Sequence, residues 1–441
     1  MKLGSIVFAL GILAASADDW PRWMGEKADG VWTEKGIRND LPKAGAPVAW
    51  RVPVGWGYSG PAVAGGKVYL SDYQRAEGEL MNNPGKAVTW EGMERLLCLD
   101  MKTGKEIWKY EVSRTYLLSY PGGPRATPTV AGGMVYFLGA MGNLVVLDAE
   151  TGEKKWEKDF QKDFGAGLPI WGFSAHPLVV GDTVYCLVGG EGSVAVAFDA
   201  RSGEVKWKAL NARNQGYCPP SIVKVGGTEQ LLIWHPEGMN SLNPKTGDKY
   251  WDLPLKPTYG MSVMTPQLVG NKIFASGIGR VGAMIELHEN ETSAKFAWRG
   301  KPKTAMYCCN STPLIHEGVI YGSDIRSSQL IAASVEDGER FWSTMEPTVA
   351  KKYQKNGGSH GTVYLTRHEA SGRYWLVNEN GDLILAELSK KGYKELGRQH
   401  VLEPTNEAFG RPVVWSGPAF SDRAVFMRND KELVKVDLSA N

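Results

Sequence analysis

Four arginines, Arg125, Arg280, Arg326 and Arg411, fall in short polar breaks between apolar runs, and Tyr58, Trp171 and Tyr217 fall in breaks of the same kind. A guanidinium presents a fork of N–H donors that matches a carboxylate, and an aromatic face stacks on a flat ring. Together these are means of holding a carboxylate-bearing or sugar-like ligand. His176, His360 and Asp324 occupy further breaks. His235-Pro236-Glu237 sets an imidazole and a carboxylate two residues apart, an acid–base pair if the chain stays extended. Pro236 points instead to a turn, which would separate the two side chains. Cys308-Cys309 is an adjacent thiol pair. It could close a strained ring in an oxidising compartment, or supply one core residue and one small rim residue.

Several chemistries are absent from the chain. It holds no Ser-His-Asp elbow, phosphate-binding loop, dinucleotide fingerprint or zinc-ligand spacing. With 50 Lys+Arg against 48 Asp+Glu, nothing implies a nucleic-acid or anionic-membrane partner. The five cysteines are an odd number, and Cys98 and Cys186 sit inside strand-like runs, so no disulfide framework is evident.

The elements that must position these residues come from a repeat. Asp-x-x-Thr/Ser-Gly-x-x-x-Trp occurs at Asp100–Trp108, Asp148–Trp156 and Asp199–Trp207, with Asn for Asp at Asn243–Trp251 and degenerate copies ending at Trp298 and Trp342. The Trp-to-Trp steps of 44 to 51 residues match a propeller blade. Asp or Asn opens a tight turn, Gly supplies a positive φ, and Trp packs between neighbouring blades. Upstream of each phrase lie a Pro-x-Val-like segment, as in Thr127-Pro128-Thr129-Val130, and a glycine turn followed by β-branched and aromatic residues, as in Gly133-Met134-Val135-Tyr136. That makes four strands per repeat.

First strands are expected to start near Tyr58, Arg125, Ser174, Tyr217, Met261, Asn310, His360 and Val414. The last repeat runs out after its third strand, while Pro47–Val54 reads as a strand with no blade of its own. The expected fold is therefore all-β, a single eight-bladed propeller of four-stranded antiparallel blades. Its N-terminal strand completes the C-terminal blade and removes exposed edges. Residues 47–441 would form the propeller and 18–46 an extension. Lys2, the apolar run Ile6–Leu13 and Ala15-Ser16-Ala17 read as a signal peptide cut after Ala17, which implies a periplasmic or secreted protein. No later stretch is long and apolar enough to be a transmembrane helix.

Blade geometry places the connections that lead into first strands, and those between second and third strands, on one rim at the channel mouth. The Thr-Gly hairpins fall on the other rim. All the candidate ligand-binding residues belong to the mouth rim: Tyr58, Arg125, Trp171, His176, Tyr217, His235, Glu237, Arg280, Cys308, Asp324, Arg326, His360 and Arg411. An insertion in the first blade, about residues 73–94, is positioned to fold over it.

The repeat phrase resembles the tryptophan-docking motif of the pyrroloquinoline-quinone (PQQ)-type propellers, over residues 46–438. That superfamily contains quinoprotein alcohol dehydrogenases and the propeller lipoprotein of outer-membrane assembly. Asp19-Trp20-Pro21-Arg22-Trp23-Met24-Gly25, Ile233–Glu237 and Leu402–Asn406 resemble segments of a group of exported PQQ-like propellers. The resemblance and the rim together imply a module that binds a small molecule, glycan or protein partner. The alternatives are a PQQ- and calcium-dependent alcohol or sugar dehydrogenase and a glycan-active lyase or hydrolase. In the quinoprotein dehydrogenases adjacent cysteines close a ring against the quinone, but early in the chain, whereas Cys308-Cys309 lies in the sixth repeat. Their extra loops are missing here, and neither their calcium ligands nor their catalytic Asp can be matched to residues of this chain.

Overall fold

The computed structural model describes residues 18–76, 82, 85–354 and 359–440, so the reading of residues 1–17 as a signal peptide lies outside the described residues. Alternating side chains and glycine turns fold the chain into eight four-stranded antiparallel sheets, arranged as the blades of a closed propeller. Blade 1 runs through Ala62–Ala64, Lys67–Arg75, Val88–Asp100 and Glu106–Leu118. Blades 2 to 7 repeat this order, each from a three- to six-residue innermost strand outwards. Blade 8 supplies Ala419–Ser421, Ala424–Arg428 and Glu432–Asp437, and Val48–Pro53 completes it by pairing antiparallel with Glu432–Asp437.

First strands begin a few residues later than the sequence indicates: Ala62, Thr129, Leu178 and Ser221 in the first four blades. The preceding residues are extended but have no ladder partner, because they lead into the channel from the neighbouring blade. The difference matters functionally, since it leaves their side chains free to line the mouth.

The repeat phrase works through contact with the next blade. Trp108 donates its indole N–H to the Ala149 carbonyl (3.2 Å) and lies on Gly152 of the following hairpin, where an added β-carbon would stand 2.7 Å from the ring. Trp156 repeats this on Ala200 and Gly203, Trp207 on Pro244 and Gly247, and Trp298 on Val335 and Gly338. Trp50, from the N-terminal strand, docks on Met101 and Gly104 and so seals blade 8 to blade 1. Trp251 departs from the pattern and bonds Gln230 of its own blade (2.8 Å). Every third-to-fourth strand pairing carries a register shift, and in each blade whose fourth strand holds a Trp this bulge lies beside it.

Two regions gain detail. In the blade 1 insertion Tyr73 pairs with Glu94 and Arg75 with Gly92, so the second and third strands simply run on. The hairpin still reaches the mouth, where Asn82 bonds Asn406 and the Glu407 carbonyl. Residues 18–46 do more than lead into the ring. Trp20 exchanges two backbone bonds with Val63 of blade 1, and Val130 of blade 2 donates to the Pro21 carbonyl. Val31–Trp32 then adds a parallel strand to the inner edge of blade 7. The segment thus crosses the channel floor on the hairpin side. Among the described residues, no helix is long and apolar enough to cross a membrane.

Candidate functional site

Above that floor lies a cavity of about 800 Å³. Its lower end is closed by Trp23, whose ring stacks on His176 (centroids 5.0 Å, planes 17° apart) and meets Tyr364 edge-on. Gly417 gives the indole room: a β-carbon there would lie 2.4 Å from it. The walls are aromatic. Trp171 packs against Tyr217 at 5.8 Å, Tyr120 against Trp415 at 6.0 Å, and Phe409 stacks on His360 at 4.2 Å. A small hairpin, Asn406–Ala408 with Arg411–Val413, carries Phe409 at its tip.

Arg125 supplies the cavity's fixed charge. Its guanidinium bonds the carbonyls of Gly123, Ser119 and Tyr120 and sits 5.2 Å from the Tyr58 ring centre. Among the described residues it makes no ion pair within salt-bridge distance. Burial lowers its pKa from the ordinary arginine value, and Tyr58, Tyr116, Tyr217 and Glu94 offset this only in part. Glu94 itself is turned to the Tyr116 hydroxyl and the Ala140 N–H, and burial raises its pKa. Arg125 is therefore a half-buried cation held in place by carbonyl oxygens, with no anionic partner among the described residues.

The two imidazoles of the cavity are neutral. Burial pushes His176 down to about 3, and its Nδ1 accepts from the Thr127 N–H (2.8 Å), which leaves Nε2 as the donor nitrogen. His360 is pushed down to about 4, by burial first and then by Arg411. Tyr58 accepts a bond from Asn406 Nδ2 (3.1 Å), and burial raises its phenol well above the ordinary range.

Of the candidate ligand-binding residues, Tyr58, Arg125, Trp171, His176, Tyr217 and His360 line this cavity, whereas His235, Glu237, Arg280, Cys308, Asp324, Arg326 and Arg411 do not. Arg411 is held in a two-bond ion pair with Glu379 through Nε and Nη2 (2.6 and 3.1 Å), and its buried Nη1 has no partner among the described residues. Asp324 accepts from the backbone of Tyr307, Arg326 and Ser327 and builds the rim of blade 6. Arg326 contributes its N–H to that turn, and Arg280 sits in a turn at φ 61°. His235 and Glu237 form no side-chain pair. They stand in a two-residue turn, with His235 Nδ1 accepting from the Glu237 N–H and Glu237 accepting from the Arg213 N–H. Cys308 is packed in the core between blades, while Cys309 lines the cavity. Both are free thiols, and burial pushes Cys309 up to about 12.

Trp23, Tyr120, Tyr259, Tyr364, Phe409 and Trp415 line the cavity without having stood out in the sequence. Trp415 follows the break at Val414 directly and could have been found from it. Trp23 lies in a segment whose crossing of the floor leaves no periodic signal.

A calcium-bound quinone would need a matching set of donors. Calcium takes six to eight oxygens, usually several from carboxylates. Among the described residues the lining contains neither Asp nor Glu, and no group of three metal-ligating side chains occurs. The donor set does not fit.

The family described as outer membrane protein assembly factor BamB matches residues 43–167 and 92–344. The chain belongs to this PQQ-like propeller family. Subunit 1 of methanol dehydrogenase [cytochrome c] from Paracoccus denitrificans is 27% identical over 175 residues, covering 38% of this chain and 23% of that protein. BamB from Burkholderia pseudomallei is 24% identical over 192 residues, covering 36% and 48% respectively. The chain thus spans less than half the length of these curated relatives. In structure, quinohemoprotein alcohol dehydrogenase from Comamonas testosteroni superposes with a TM-score of 0.58 at 13% identity, over 96% of this chain and 81% of the other. BamB from Moraxella catarrhalis superposes with a TM-score of 0.56 at 12% identity, over 89% and 99%. These structural likenesses concern the fold alone.

Proposed function

We propose that this PQQ-like propeller is an exported binding module, which takes up a small ligand at the channel mouth and carries out no quinone-dependent oxidation. The observation that carries the reading is the closed-floored aromatic cavity with Arg125 half-buried in its wall and without an anionic partner among the described residues. Predominantly apolar clefts with a few fixed polar groups are the usual form of small-molecule sites. Both histidines are held neutral, which leaves Arg125 as the charge that selects a ligand. The N-terminal sequence features support export, with the mouth acting on a periplasmic or extracellular solute.

The test is a binding screen of the purified mature protein by tryptophan fluorescence and calorimetry. It covers neutral sugars, acidic sugars, aromatic acids, and PQQ with and without Ca²⁺. The reading expects saturable binding of at least one anionic compound that Arg125→Ala abolishes. Calcium-dependent PQQ binding with dye-linked alcohol oxidation would overturn it in favour of a dehydrogenase.

A further inference from the structure

The cavity does not end at its mouth. Tyr217 and Tyr259 line both it and a second, polar groove of about 610 Å³ that runs outward over blades 3 and 4. Tyr259 stands between the two, 76% exposed, in a left-handed backbone conformation (φ 58°) that lifts its ring away from the surface. Beyond it the groove presents Asn211, Asn214, Arg213 and Glu191 to solvent. Three features therefore lie in series: a half-buried cation among aromatic rings, an exposed aromatic ridge, and a trough of amides with one charge of each sign.

From this order we infer that the ligand is an oligosaccharide whose terminal unit is a uronic acid. The inference rests on the binding reading above. The terminal carboxylate meets the Arg125 guanidinium, the one group with a fixed charge among the described lining residues. Sugar rings carry C–H bonds on one face, and these pack on the electron-rich faces of Trp171, Tyr217 and Tyr259. The following neutral units lie in the groove, where amides donate to and accept from hydroxyls. The groove's two charges, Glu191 and Arg213, are of opposite sign and leave it without net charge, so neutral units suit it and the acid belongs at the Arg125 end. Trp23 closes the floor, which means the rest of the chain must leave past Tyr259.

Calorimetry would compare a glucose trisaccharide ending in glucuronic acid with neutral cellotriose, glucuronate alone and benzoate. The acidic trisaccharide should bind at least about tenfold more tightly than cellotriose and more tightly than glucuronate. Tyr259→Ala should weaken the trisaccharide several-fold more than it weakens glucuronate. Tyr259 is exposed, so this variant keeps the fold even if Arg125→Ala does not. Equal binding of cellotriose, or a trisaccharide no tighter than glucuronate, would overturn the inference. Benzoate binding through Arg125 with no trisaccharide binding would overturn it and leave the cavity as a small-ligand site. Failure of all four probes, together with a blank in the wider screen, would remove both.

Discussion

Gly152→Ala tests whether the docking of Trp108 on the next hairpin holds neighbouring blades together. Two costs apply. Gly152 has φ +72°, and an L-residue in that region loses about 1–2 kcal/mol, less roughly 0.4–1 kcal/mol regained by stiffening the unfolded chain. The new methyl would also stand 2.7 Å from the Trp108 ring. Moving the indole costs about 1–3 kcal/mol of packing, and losing its bond to Ala149 costs about 1 kcal/mol more. The variant should therefore be less stable by about 3 kcal/mol. Gly132→Ala is the matched control: its φ is +58°, but nothing lies within 4 Å of the added carbon. It should cost about 1 kcal/mol or less. Urea unfolding followed by tryptophan fluorescence and by circular dichroism would give both values. If the two variants agreed to within about 0.5 kcal/mol, the docking contact would carry no stability of its own.

Other expectations concern the site. His176 has its folded pKa lowered to about 3, so between there and about 6.5 the unfolded chain binds more protons and stability falls as pH falls. His176→Gln should then show its largest deficit near neutral pH, and that deficit should shrink by about pH 4 in urea midpoints. Arg411→Ala leaves Glu379 buried without its partner and should cost about 3–5 kcal/mol, whereas the double variant Arg411→Met/Glu379→Leu should cost clearly less. Trp23→Ala should admit water beneath His176 and raise its pKa toward the ordinary value, as read by NMR titration of the imidazole. The five thiols are buried, so Ellman's reagent should find none in the native protein and all five after unfolding.

The blade repeat was legible because turns and docking residues obey local rules. Asp100 must bond Thr103, Gly104 must take positive φ, and each choice is visible within nine residues. The closure by Val48–Pro53 followed from counting strands. The cavity was legible only in part, because whether a rim residue faces the channel depends on what already occupies its hydrogen bonds. Arg125 and Arg411 look alike in sequence. One is held by carbonyls in the cavity wall, and the other is consumed by Glu379, a residue thirty-two positions away. Trp23 was invisible for a related reason: it reaches His176 by crossing the ring, a contact that no periodicity records.

That crossing bears on how the protein comes to exist. The first described residues brace blades 1, 2 and 7, and residues 48–53 wait for a partner at 432–437. During vectorial synthesis or export the early blades can condense while the inner edge of blade 7 and the last blade cannot. Contacts of such sequence separation make folding slow and leave strand edges open to other chains in the interval. The cavity draws its floor from residue 23 and part of its wall from residue 415, so it is assembled only when both ends are in hand. A chain cut short after seven blades would lose its binding site together with its closure.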